Sequence, residues 1–174
     1  SRIAEFYERS GDILALSGKK GSLSIIGAVS PPGGDISEPV SQSTLNIVKV
    51  FWALDAQLAN TRHFPAINWL KSYSLYFENL EDYYSTIAKD FIENRNIALN
   101  LLQMEDDIKS IAQIVGTESL PEEEKLILEI GKIIREGFLR QNAFDPIDSY
   151  TNINRQYYML KIIIHLYEKS KEAL

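Results

Sequence analysis

The chain has 174 residues, 45% of them hydrophobic and 24% charged, with 24 acids against 18 bases and a formal net charge of −6. That balance belongs to a folded globular chain rather than a disordered one, and it lacks the basic excess of a duplex nucleic-acid binder. Cysteine is absent, which excludes a disulfide framework and a thiolate metal site, and no apolar run approaches the ~20 residues of a membrane-spanning helix.

In chain order, residues 1–9 (SRIAEFYER) place Ile3, Phe6 and Tyr7 on one side of a helix already under way, closed by Gly11. With no N-terminal cap in front of it, the expectation is a piece of a longer protein. Residues 12–29 predict a β-hairpin. Ile13, Leu14 and Leu16 form its first arm, Gly18-Lys19-Lys20-Gly21 its turn, and residues 22–29 a second arm without charge, as in a buried strand. Pro31-Pro32-Gly33-Gly34 continues neither ladder nor helix, so a loop runs to about Ser43. Residues 44–60 then read as one helix, with Leu45, Val48, Phe51 or Trp52, Leu54 or Asp55, and Leu58 at helical spacing. Residues 61–79 read as irregular and held by aromatics.

From Leu80 onward no strand signal recurs. Residues 80–115 read as one long periodic segment, with Tyr84, Ile87, Phe91, Leu101, Met104, Ile108, Ile111 and Val115 as candidate core, ended by Gly116. Ser119 and Glu122 fit a capping box opening a helix with Leu126, Ile130, Ile133, Ile134 and Phe138 inward, ending near Gln141. Asp145-Pro146 is a further start signal, and the last helix covers about 154–172 with Tyr158, Ile162, Leu166 and His165 facing in. The fold class expected is α+β, mainly α: the end of an α/β domain over residues 1–76, followed by a helical bundle over 77–174.

Few residues point to chemistry by themselves. No GxxxxGK[ST] phosphate loop is present, and Ser17-Gly18-Lys19-Lys20-Gly21-Ser22 has the wrong spacing and reads as a turn. His63 and His165 have no nearby partners of metal-ligand spacing, so no metal site and no catalytic residue is assigned. Phe64 lies before a proline in an irregular stretch, and Phe144 lies at a helix exit in Gln141-Asn142-Ala143-Phe144. Rings at such places can line a cleft instead of a core.

Four blocks carry a family resemblance: SRIAEFYERSG at 1–11, GAVSPPGGDISEP at 27–39, TRHFPAINWLKSYSLY at 61–76 and GKIIREGFLRQNAF at 131–144. In this order they resemble the C-terminal third of the catalytic A subunit of V-type and archaeal A-type rotary ATPases. The resemblance implies the end of a P-loop nucleotide-binding domain followed by a helical domain, with the P-loop, the catalytic glutamate and the Mg²⁺ ligands elsewhere in the complete polypeptide. It implies that Phe64 and Phe144 sandwich the adenine of ATP or ADP, with Gln141 and Asn142 as polar contacts near base or ribose. It also implies that Pro31 to Asp35, with Glu38, face the rotor shaft, and that Glu118, Glu122, Glu123 and Glu124 form a torque-bearing tip. The implied partners are a non-catalytic B subunit in an alternating hexamer and the central-stalk rotor subunits, with no nucleic acid. The implied setting is cytoplasmic, peripheral to the membrane through a sector that moves H⁺ or Na⁺. A helical interaction module without a nucleotide role, and a flagellar or secretion-type P-loop ATPase, are the alternatives weighed against this reading.

Overall fold

The computed structural model describes residues 2–174; Ser1, the first residue of the block at 1–11, lies outside them. The chain forms two compact units, Ser1–Phe51 and Trp52–Leu174.

The first unit opens with helix α1 (Arg2–Tyr7), followed by strands β1 (Gly11–Leu14) and β2 (Lys20–Leu23). These pair antiparallel in the register Gly11↔Leu23, Asp12↔Ser22, Ile13↔Gly21 and Leu14↔Lys20. Gly18 takes φ +76°, the left-handed conformation a tight turn needs. Gly11, expected to close the first helix, instead starts β1. The second arm is shorter than residues 22–29 predict, and it is not buried: Leu23, Ile26 and Val29 are all exposed. A two-stranded ribbon has no second layer to cover its faces, so an uncharged composition does not by itself place a strand inside.

The single helix expected over 44–60 is two short helices. Helix α2 (Pro39–Leu45) starts inside the expected loop, because Pro39 supplies a favourable first-turn residue and Glu38 accepts from the Ser41 backbone N–H. Strand β3 (Val50–Phe51) follows in the β-branched and aromatic stretch.

In the second unit, helix α3 (Ala56–Asn60) begins where Asp55 accepts from the N–H groups of Gln57 and Leu58. Asp55, read from the sequence as a possible core position, is therefore a helix cap. Strand β4 (Tyr73–Ser74) is the next regular element, and the long segment expected over 80–115 divides into α4 (Glu81–Ile87) and α5 (Phe91–Val115). The break falls at Ala88, whose backbone is extended (φ −160°, ψ 139°). Beside it, Asp90 is drawn to α7 (Ile153–Ala173), where it accepts from Tyr157 Oη at 2.7 Å and pairs with Lys161 Nζ at 2.9 Å.

Helix α6 (Glu122–Ile133) runs without interruption into a π-helical turn, Ile134–Leu139. No capping box forms at its start: the Ser119 hydroxyl donates back to the Val115 carbonyl, and Pro121 occupies the cap position. Asp145 does not start a helix either. It accepts from Ile147 and Asp148 in a turn, and α7 begins later, capped by Asn152.

The bundle core comprises Ala98, Leu101, Leu102 and Ile108 of α5, Leu120, Ile127 and Ile130, Ile134 of the π turn, and Leu160, Ile163 and Ile164 of α7. Ile111, Val115 and Ile133 are exposed rather than in the core. The inward face of α7 also differs from the one expected. Tyr157, Leu160, Ile163 and Ile164 are buried, while Tyr158, Ile162, His165 and Leu166 face solvent. Among the described residues no helix is long and apolar enough to cross a membrane.

Candidate functional site

The loop after α3 is tied by its own polar residues. Asn68 Nδ2 donates to Asp55 Oδ2 at 2.9 Å, and Asn68 Oδ1 accepts from the N–H groups of Leu70 and Lys71 at 3.0 Å each. Backbone bonds Asp55 N–H to Ala66 O (2.9 Å) and Asn68 N–H to Ala53 O (2.8 Å) close the loop across its base. The Asn68 amide beside Asp55 holds its carboxyl below the usual range, helped by the two N–H groups it caps. Trp69 and Leu70 pack on the bundle core, so the loop is anchored at that end by apolar contact.

Held this way, His63 turns inward and Phe64 outward. His63 is 5% exposed, and its ring lies 5.5 Å from that of Trp69. Its Nε2 donates to the Arg135 carbonyl at 3.0 Å. A carbonyl oxygen only accepts, so Nε2 carries the proton, and the buried Nδ1 has no partner among the described residues. The peptide bond between Phe64 and Pro65 is cis.

The Arg135 carbonyl belongs to the π turn and also accepts the Arg140 N–H, five residues on, at 3.0 Å. One further rung joins loop and helix exit: the Gln141 N–H donates to the Phe64 carbonyl at 2.7 Å. The two segments that bear Phe64 and Phe144, far apart in the sequence, are thus hydrogen-bonded neighbours. Beyond Gln141 the chain folds on itself. Asn142 Oδ1 accepts from the Phe144 N–H at 3.0 Å, Asp148 Oδ2 accepts from the Asn142 N–H at 2.6 Å, and Gln141 Nε2 donates to the Asp148 carbonyl at 3.3 Å. Phe64 is 51% exposed and Phe144 is 98% exposed. Among the described residues neither ring contacts another aromatic ring, and the groove of about 500 Å³ along α4 and α5 lies elsewhere, between Glu81 and Asn100.

Behind the π turn lies a buried ion pair that the sequence reading did not single out. Arg135 Nε is 3.1 Å from both oxygens of Glu105, and Nη2 is 2.9 Å from Oε1. Lys109 Nζ adds a contact at 2.8 Å. Arg135 and Glu105 lie 30 positions apart on different helices, so no local spacing pairs them.

Residues 80–174, more than half of the chain, match the family described as the C-terminal domain of V and A type ATP synthase. The chain belongs to that V and A type ATP synthase family. Residues 1–74 match the nucleotide-binding domain of the ATP synthase alpha/beta family, so the fold is the end of a nucleotide-binding domain followed by the helical C-terminal domain. Over its whole length the chain is 55% identical to the A subunit of the A-type ATP synthase of Methanosarcina mazei and 54% identical to that of Methanopyrus kandleri. It is 52% identical to the V-type ATP synthase alpha chain 1 of Clostridium tetani. The chain spans about 30% of the length of each of these relatives of the V and A type ATP synthase family. Among solved structures, the ATP synthase subunit NeqB from Nanoarcheaum equitans superposes with a TM-score of 0.77 at 26% identity, covering 95% of this chain and 38% of that one.

Proposed function

We propose that the chain is the C-terminal third of the catalytic subunit of a rotary V/A-type ATP synthase, in which Phe64 and Phe144 hold the adenine of ATP or ADP. The observation that carries this reading is the bond from the Gln141 N–H to the Phe64 carbonyl at 2.7 Å. It ties together two segments that each present an exposed ring, an arrangement that would let a flat apolar base lie between them. Each stacking contact contributes roughly 1–3 kcal/mol by analogy with bases on aromatic side chains. Gln141 Nε2 and Asn142 Oδ1 are engaged within the loop, so Gln141 Oε1 and Asn142 Nδ2 are the ends that would meet the base or ribose.

When bound, ATP with Mg²⁺ supplies the phosphoryl group for in-line transfer, a reaction governed by positioning and charge neutralisation. Among the described residues no three acidic or histidine side chains converge on a metal position, and we assign the Mg²⁺ ligands to the remainder of the polypeptide. The residues of this chain bind and orient the purine. Residues 77–174 would act as the moving helical domain, swung against the rotor when the nucleotide closes the site. The neighbouring non-catalytic B subunit would complete the site with an arginine.

Two acidic regions fit rotor contacts. At 30–39, Asp35 accepts from the hydroxyl and N–H of Ser37, and Glu38 from the N–H and hydroxyl of Ser41. These hydrogen bonds hold both carboxyls below their usual range, so both stay charged against a basic shaft. At the start of α6, Glu122, Glu123 and Glu124 follow Glu118, with Glu122 paired to Lys125 at 2.8 Å. Such rim charges set encounter and register more than affinity. Coupling to H⁺ or Na⁺ transport at the membrane follows from the same assignment.

Photolabelling of the complete subunit in its assembled complex with 2-azido-ADP tests the pocket. Label on the peptides that contain Phe64 or Phe144 is expected. Label confined to peptides outside this chain would overturn the assignment.

A further inference from the structure

The π turn is clamped from both sides by two consecutive residues of the loop. His63 Nε2 donates to the Arg135 carbonyl at 3.0 Å at the start of the turn, and the Phe64 carbonyl accepts from Gln141 just past its end at 2.7 Å. The Arg135 carbonyl takes two donors at once, His63 and Arg140. In an α-helix its single helical donor would be residue 139. The shift to residue 140 is what makes the turn π-helical, and it adds a residue between the buried core at Ile134 and the exit towards Phe144.

His63 is fixed independently of this bond. Its backbone N–H donates to the Leu58 carbonyl at 2.9 Å, and its ring is buried beside Trp69, which itself packs on the bundle core. On the other side, the Arg135 side chain is held by Glu105. The His63 bond is therefore a strut between two anchored groups.

We infer that His63 is a positioning residue for the nucleotide, setting through its bond to the Arg135 carbonyl the separation of the Phe64 and Phe144 segments. This rests on the reading of those two rings as the adenine site. It is more specific than that reading, because it assigns a function to one ring nitrogen. Nε2 is the working atom, and Nδ1, which meets no partner among the described residues, is not.

The amide nitrogen of glutamine reaches about as far as histidine Nε2, and that of asparagine about as far as Nδ1. In the complete subunit within its complex, binding of ADP and of inorganic pyrophosphate is measured by calorimetry for His63→Ala, His63→Gln and His63→Asn. Pyrophosphate has no base and reads the phosphate site alone. His63→Ala and His63→Asn are expected to weaken ADP on the order of tenfold, as for loss of one buried hydrogen bond, with pyrophosphate unchanged. His63→Gln is expected to keep ADP binding near that of the unsubstituted protein. Equal weakening of both ligands would mean a general structural role and overturn the inference, as would unchanged ADP binding in all three variants. Should the alanine variant fail to fold, the glutamine–asparagine contrast decides alone, and equal ADP affinity in those two would overturn the inference. Phe64→Ala, run alongside, separates the two levels: if it leaves ADP binding intact, the adenine reading itself fails. If it weakens ADP while the histidine variants do not, only the role of His63 fails.

Discussion

Arg135 grips Glu105 through two nitrogens, with Nε 3.1 Å from both carboxylate oxygens and Nη2 2.9 Å from Oε1. Glu105 is 2% exposed and faces Gly131. A charge so placed is tolerated because its oxygens are filled by Arg135 and Lys109. Removing Arg135 leaves the buried carboxylate with Lys109 alone.

Arg135→Met should therefore destabilise the helical unit, by less than the about 3–5 kcal/mol of a wholly unpaired buried charge, since Lys109 Nζ still meets Glu105 Oε1 at 2.8 Å. The double variant Glu105→Leu with Arg135→Met should recover most of that loss. Urea unfolding followed by the helical circular dichroism signal checks both. A double variant no more stable than Arg135→Met would contradict this account of the pair.

Glu105 fits only because Gly131 faces it. A Cβ at position 131 would lie 2.5 Å from Glu105 Cδ and 2.7 Å from Cγ, and that side chain is buried and held by Arg135 and Lys109. Gly131→Ala should cost about 1–3 kcal/mol through overpacking. Gly137→Ala meets nothing within 4 Å and should change stability far less. The same unfolding measurement on the two variants compares them, and equal losses would contradict the close approach.

The α5–α7 junction predicts a pH dependence. Lys161, and then Tyr157, hold the Asp90 carboxyl down from its ordinary 3.8 to about 2. A depressed carboxyl contributes stability that is complete above its unfolded pKa of about 4 and is lost as pH falls towards the folded value. The thermal midpoint of the unsubstituted chain should exceed that of Asp90→Asn at pH 6, and the gap should close between about pH 4 and pH 2. A gap that persists unchanged at pH 2 would contradict the electrostatic origin.

The inward face of α7 is tested by a pair of neighbours. Ile164 is 1% exposed and Ile162 is 68% exposed. Ile164→Ala should cost about 2–5 kcal/mol as a core truncation, whereas Ile162→Ala should stay within about 0.5 kcal/mol. Reversed magnitudes in urea unfolding would place the wrong face inside.

That pair also marks where sequence reasoning stops. In Tyr157-Tyr158-Met159-Leu160-Lys161-Ile162-Ile163-Ile164 apolar residues point in nearly every direction, so helical periodicity alone cannot select the face. Packing against α5 and α6 selects it. The residues 44–60 failed for another reason: Leu45, Val48 and Leu58 happen to share a helical spacing, but Pro39 with Glu38 and then Asp55 each start a shorter helix locally. Asp55 and Asn68 were invisible as a pair because their bond depends on a loop closure that no local pattern encodes. The loops themselves were legible, since Pro31-Pro32-Gly33-Gly34 and the stretch around Pro65 carry their constraint in single residues. Of the candidate site, Phe64 and Phe144 could be named from their setting and the family wording. The π turn and the two bonds that clamp it could not, because an extra residue in a helical turn leaves no signature in composition or spacing.

The most direct measurement of the central claim is ADP binding by calorimetry to the complete subunit, in its complex, with Phe64→Ala and Phe144→Ala combined. Loss of two stacking contacts should weaken binding by roughly 2–6 kcal/mol, while helical circular dichroism stays that of the unsubstituted protein. ADP affinity unchanged by the double substitution would contradict the claim that these two rings hold the purine.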